Sequence, residues 1–208
     1  MNLFFKLIFG NFFYHIYSYI IKSILVLKGV KVGKNFFIAG TPKLKIRTYH
    51  SNIEIKNNVK ILGDIDLRTR ENGKIIINDN VTIEENCRIV SARDGKIFID
   101  ENTIVCAYST INGGEDVMVG KNCIIGRNTS INSNSHKIKR EYLIMQQGFD
   151  HEKVIIEDDC WTGINSVITK GVTLKKGSII GASSVVNKST EEYSINVGAP
   201  CTKINERK

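Results

Sequence analysis

Between Val154 and Val186 the chain repeats itself every six residues. Read from Thr162, the blocks are T-G-I-N-S-V, I-T-K-G-V-T, L-K-K-G-S-I and I-G-A-S-S-V. An aliphatic residue leads most blocks, and a small residue or valine takes the fifth place. An amphipathic helix repeats its apolar residues every 3.6 positions and a half-buried strand every 2; a period of six fits neither. It is the period of a parallel β-helix, in which each six supplies one short strand and one turn, and three sixes close a coil of about 18 residues. The leading aliphatic and the small fifth residue then face inward.

A second pattern extends this reading toward the N-terminus. V-G-K-N-F at 32, I-K-N-N-V at 55, I-N-D-N-V at 77, I-D-E-N-T at 99, V-G-K-N-C at 119, I-E-D-D-C at 156 and L-K-K-G-S at 174 align without gaps. In each, an aliphatic residue is followed three places on by Asn, Asp or Gly, the residue types that best tolerate a left-handed turn. Each copy therefore marks a corner, and the body is predicted to be one solenoid of about seven coils, each touching only its neighbours. The pattern is least regular over residues 40–52.

One interval departs from the rule. Val119 and Ile156 are 37 residues apart, about two coils, and the excess is the polar stretch 132–153. A long loop in an otherwise strict repeat is a functional candidate, and this one holds His136 and His151. The predicted organisation is an apolar helical segment over 1–29, the β-helix over 30–188 with its insertion at 132–153, and a charged C-terminal tail over 189–208, frayed at its end.

Residues 1–29 are rich in aromatic and aliphatic side chains, with Lys6, Lys22 and Lys28 spaced along them. The uncharged run from Leu7 to Ile21 is shorter than the ~20 residues a membrane span needs, and no small-residue cleavage site follows it. Three readings stay open: a helix capping the end of the solenoid, an interfacial helix on the inner face of a membrane, or, last, a true span. A cytoplasmic protein, peripheral at most, is the expectation.

The net charge of +8 suits a phosphorylated cofactor or an anionic surface. No nucleic-acid-binding motif accompanies it. The five cysteines are odd in number and form no CxxC, which argues against a zinc site or a disulfide framework. Cys123 and Cys160 fall at the small inward position of the repeat, as buried, inert thiols would.

The blocks C-W-T-G-I-N-S-V-I-T-K-G-V-T-L-K, I-G-A-S-S-V-V-N-K and the closing G-A-P resemble those of the hexapeptide-repeat acyltransferases. The similarity is greatest to the sugar and xenobiotic O-acetyltransferase branch, which includes enzymes of capsule and lipopolysaccharide synthesis. It covers residues 119 to 204; the first half matches only as generic repeat. The resemblance implies a left-handed β-helix, a homotrimer with acetyl-CoA between subunits, no metal, and a histidine on the long loop as base. His136 stands at that position; His151, just before the chain re-enters the coil, does not match. Gly163, Ala182 and Lys188 match the cofactor-binding positions, Lys175, Lys176 and Lys203 being further candidates for its phosphates. Trp161 stands at the family's tunnel-edge tryptophan, with a trimer-core role equally open. Asp116, with Glu115, is a candidate to orient His136 or meet the acceptor, a solvated turn being the other reading. Thr162 replaces the usual isoleucine, and Ile164 stands where some members have serine or alanine near the thioester.

The chemistry agrees with the residue types. A sugar hydroxyl becomes nucleophilic as a neutral imidazole takes its proton, and the thioester brings its own leaving group. The developing oxyanion requires N–H donors, expected near Gly163 and Ile164. The implied activity is acetyl-CoA-dependent O-acetylation of a surface-polysaccharide sugar or its precursor. A soluble small-molecule acetyltransferase and a non-catalytic β-helix binding protein are the alternatives.

Overall fold

The computed structural model describes residues 2–208, with side chains from Phe12 onward. Met1, first residue of the 1–29 segment, and the side chains of residues 2–11, including Lys6, lie outside the described residues. A helix over Asn2–Leu27 leads into a solenoid of three parallel sheets. Face A runs from Lys31–Val32 through Ile53–Ile55, Lys74–Ile77, Lys96–Ile99, Val117–Val119 and Val154–Ile156 to Thr173–Leu174. Face C likewise has seven strands, from Pro42–Ile46 to Val185–Val186. Face B starts at Phe37–Ile38 and includes Ile104–Val105, Ile124–Ile125, Trp161–Thr162 and Ile179–Ile180. The architecture is the left-handed parallel β-helix that the repeats and the resemblance imply.

The corners of the aligned motif follow the residue types. Asn35, Asn58, Asn80, Asn102, Asn122 and Asp159 all have φ between 52° and 60°, and Gly177 takes the seventh place with φ 69°. These are the seven Asn, Asp or Gly positions of the aligned motif. Their side chains also bond from coil to coil: Asn35 Nδ2 donates to Asn58 Oδ1 at 2.9 Å, and Asn58 Nδ2 to Asn80 Oδ1 at 3.1 Å.

Inside, identical registers stack apolar residues in rows. Ile77, Ile99 and Val119 lie in register on face A, and Leu67, Ile89, Ile111 and Ile131 on face C, all buried. The small fifth residues face inward too: Cys123, Cys160, Ser166, Ser178 and Ser184 are buried. Thr162 sits in the face B row between Ile125 and Ile180. Its hydroxyl accepts the Gly126 N–H at 3.0 Å and lies 3.2 Å from Thr129 Oγ1, so its polar atom is satisfied where the family has isoleucine. All five cysteines are free, and burial pushes the Cys87 thiol up to about 12.

Two stretches are more ordered than the sequence implies. The irregular 40–52 segment forms the first strand of face C, Pro42–Ile46, and a 3₁₀ turn at His50–Asn52. The charged end is not frayed: Ser194–Val197 joins face B in parallel with Ile179–Ile180, and Thr202–Glu206 turns back antiparallel to it. Arg207 then pairs with Asp159 at 2.8 Å. A repeat-based reading misses this strap because its partners are not six residues apart.

Candidate active site

The insertion leaves face C after Ser130–Asn132 and returns on face A at Val154. Its stem is an antiparallel ribbon, Asn134–His136 against Phe149–His151, pairing Asn134 with His151 and His136 with Phe149. Gln147 ties the far part together: its Oε1 accepts the Lys139 N–H at 2.7 Å, and its Nε2 donates to the carbonyls of Lys139 and Tyr142, each at 2.9 Å. Lys137, Ile138, Lys139, Tyr142, Gln146, Gln147 and Asp150 line a cleft of about 690 Å³ in this loop.

Ser133 fastens the ribbon to the coil beneath. Its Oγ accepts the N–H groups of Gly114 and Glu115, each at 3.0 Å, and donates to the Glu115 carbonyl at 2.9 Å. His136 is exposed on the ribbon, and its ring lies 4.2 Å from that of Phe149, tilted by 37°. Phe149 is therefore the ring that His136 packs against. The sequence carried no signal for it, because a cross-ribbon partner is set by the loop's register and not by the repeat.

His151 occupies a different place. Its Nδ1 is buried without a hydrogen-bond partner among the described residues, and a Cβ on Gly114 would stand 2.4 Å from that atom. Burial, then the charge of Arg93, lowers the imidazole's pKa, while Glu115 opposes the shift. Glu115 and Asp116 thus neighbour His151, with which they line a cleft of about 450 Å³. Asp116 Oδ1 accepts the Lys96 N–H at 2.8 Å, repeating the coil-to-coil bonds that Asp64 makes to Thr41 and Asp158 to Lys121. The structure gives Asp116 this stacking role. Gly114→Ala should destabilise the protein by about 1–3 kcal/mol, the usual result of overpacking. Urea unfolding in a His151→Ala background should recover most of that loss if the imidazole is the obstacle.

The residues matched to the cofactor lie on another corner. Gly163 is buried at the turn after Trp161–Thr162, where a Cβ would fall 2.5 Å from the Ala182 nitrogen of the next coil. Coil stacking alone therefore demands glycine there. Its N–H is already bonded to the Ile180 carbonyl at 2.7 Å, which removes it as an oxyanion donor. The Ile164 N–H has no partner among the described residues, and Ile164 is exposed. Ala182 is exposed beside it, and Trp161 is exposed on face B, in register with Ile124 and Ile179. Lys175 pairs with Glu157, and Lys203 with Glu191 and Glu206. Lys188 is exposed, makes no salt bridge among the described residues, and borders a cleft of about 220 Å³. No cluster of metal-ligating side chains occurs among the described residues.

A family profile described as bacterial transferase hexapeptide (six repeats) matches residues 153–188. A galactoside O-acetyltransferase of Lactococcus lactis is 32% identical over 95 residues, 44% of this chain and 45% of that protein. The chain thus spans about half the length of several curated relatives it matches. A dTDP-4-amino-4,6-dideoxy-D-glucose acyltransferase of Escherichia coli is 31% identical over 165 residues, 74% of this chain and 81% of that protein. In structure, an N-acyltransferase of Bacillus cereus solved with dTDP-4-amino-4,6-dideoxyglucose and coenzyme A superposes with a TM-score of 0.63, at 22% identity, over 90% of this chain and 89% of that one. Three stacked faces of hexads, and a match over four-fifths of a curated acyltransferase, make this chain a member of the hexapeptide-repeat acyltransferase family.

Proposed function

We propose that the chain transfers an acetyl group from acetyl-CoA to a hydroxyl of a surface-polysaccharide sugar or its precursor, with His136 as general base. The observation that carries this reading is an exposed imidazole on a braced ribbon, packed against Phe149. His136 takes the hydroxyl proton as the sugar oxygen attacks the thioester carbonyl. A C–O bond forms, the C–S bond breaks, and the imidazolium returns the proton to the departing thiolate. The Ile164 N–H is the candidate donor to the oxyanion. Ala182 and Gly163 form the floor for the pantetheine arm, Lys188 meets the phosphates as a point charge, and Trp161 borders the acceptor.

His136 stands on the insertion between faces C and A, whereas Gly163 and Ala182 stand on the corner between faces B and C. One chain therefore holds base and cofactor floor on different corners of the triangle, which supports a homotrimer whose sites lie between subunits. Co-expressing His136→Ala with Ala182→Trp, each inactive alone, should restore activity in about a quarter of the interfaces of randomly mixed trimers. Activity no higher than either variant alone would show that each chain carries a complete site.

The acceptor is tested by proton NMR of surface polysaccharide from cells carrying wild type or His136→Ala. Ester acetyl methyl signals present with the first and absent with the second are expected; identical spectra would sink the polysaccharide reading. The aminosugar acyltransferase relative favours one second reading, a nucleotide-linked aminosugar acylated on nitrogen, and amide acetyl signals would identify it. Residues 1–29 are proposed to bring the enzyme to the membrane surface where such precursors are assembled.

A further inference from the structure

The N-terminal helix uses one face to close the solenoid. Ser18 and Leu25 are buried, the Ser18 hydroxyl donates to the Ile38 carbonyl at 3.1 Å, and Lys22 Nζ donates to the Gly33 carbonyl. At 100° per residue, the opposite face carries Phe12, Ile16, Tyr19, Ile20, Ile24 and Leu27. All six are exposed, from 43% at Ile24 to 87% at Leu27. A continuous apolar stripe of this kind on an otherwise folded surface marks a contact site. No helix among the described residues is long and apolar enough to cross a membrane, so the stripe suits the interfacial layer.

Charge identifies the occupant. Residues 1–62 contain ten Lys and Arg against a single acidic residue, Glu54, whereas residues 63–208 contain nineteen against twenty. The whole positive excess lies in the helix and the first two coils. Lys28, Lys31, Lys34, Lys43, Lys45 and Arg47 are exposed and make no salt bridge among the described residues, although Lys31 stands opposite Glu54 and Lys43 opposite Asp66 across the strand pairs. A second copy of the chain would bring the same net positive charge to the contact and be repelled. An anionic lipid surface would neutralise it while taking up the apolar stripe.

We infer that the helix stripe and the first-coil cations form one docking surface for anionic phospholipid, seating the solenoid end-on with its later coils, and the His136 loop, held away from the bilayer. This rests on the proposed membrane contact of residues 1–29 and adds to it a lipid class and a second set of contacts outside the helix.

The test is co-sedimentation of the full-length protein, without acetyl-CoA, with vesicles of phosphatidylcholine alone or mixed with phosphatidylserine. Roughly tenfold or greater preference for the mixed vesicles is expected, falling steeply as salt rises. Ile16→Asp/Ile20→Asp should abolish binding. Lys43→Glu/Lys45→Glu should weaken it several-fold on mixed vesicles only, which a role confined to blunting the sheet edge would not do. Equal binding to both vesicles would overturn the anionic inference while leaving membrane contact standing; absence of binding to either would overturn both. Light scattering that shows the Ile16→Asp/Ile20→Asp variant to be a smaller oligomer than wild type would assign the stripe to a second copy and overturn the proposal. Since His136→Ala should bind vesicles like wild type, failure of the acetyl-transfer reading is read separately.

Discussion

His136→Ala should lower kcat for acetyl transfer by roughly 10²–10⁴-fold, the range general-base assistance supplies. The KM for acetyl-CoA should change little, because the proposed base acts on the acceptor hydroxyl and not on the cofactor held at Gly163 and Ala182. Thermal stability should also be nearly unchanged. The imidazole is exposed and touches the ring of Phe149, so its removal leaves no buried cavity. Following thiol release from acetyl-CoA by purified protein, with a sugar acceptor in excess, separates these quantities. A loss below about fivefold would be too small for a base and would move attention to His151. Phe149→Ala should give a partial loss of the same kind, since it frees the ring of His136 without removing it.

Ile99→Ala should destabilise the protein by about 2–5 kcal/mol, the cost of deleting buried methyl groups and leaving a cavity. Ile99 is fully buried in the face A row between Ile77 and Val119. In a solenoid each coil is held only by its two neighbours, so a weakened central coil uncouples both halves. Urea unfolding followed by circular dichroism should show an earlier transition, with the early coils separating from the later ones. A shift worth less than about 1 kcal/mol would mean that the interior relaxes around the gap.

Both predictions depend on how differently the body and the site are written in the chain. The body is encoded locally: an inward aliphatic, a small inward residue and a left-handed corner recur every six residues, and the seven predicted corners from Asn35 to Gly177 all have positive φ. The requirement at each is steric and belongs to a single residue, so it is visible in one sequence. The strap of Ser194–Val197 and Thr202–Glu206 was not legible, because strand pairing there depends on partners outside the repeat. The site was legible in residue types only. A long polar loop with His136 could be read, and the C-W-T-G and I-G-A blocks carried the cofactor positions by resemblance.

Their roles changed once neighbours were known. Gly163 is glycine because the next coil's backbone lies against it, and its N–H is already bonded. Asp116 stacks one coil on another, and Phe149, silent in the sequence, packs against His136. By itself the sequence determined the fold, since every coil repeats the same short-range steric and burial rules. Only the tertiary structure decided which side chains meet across the ribbon and between coils, and that His136 and Gly163 stand on different corners, because those contacts join residues far apart in the chain whose distances no local pattern encodes.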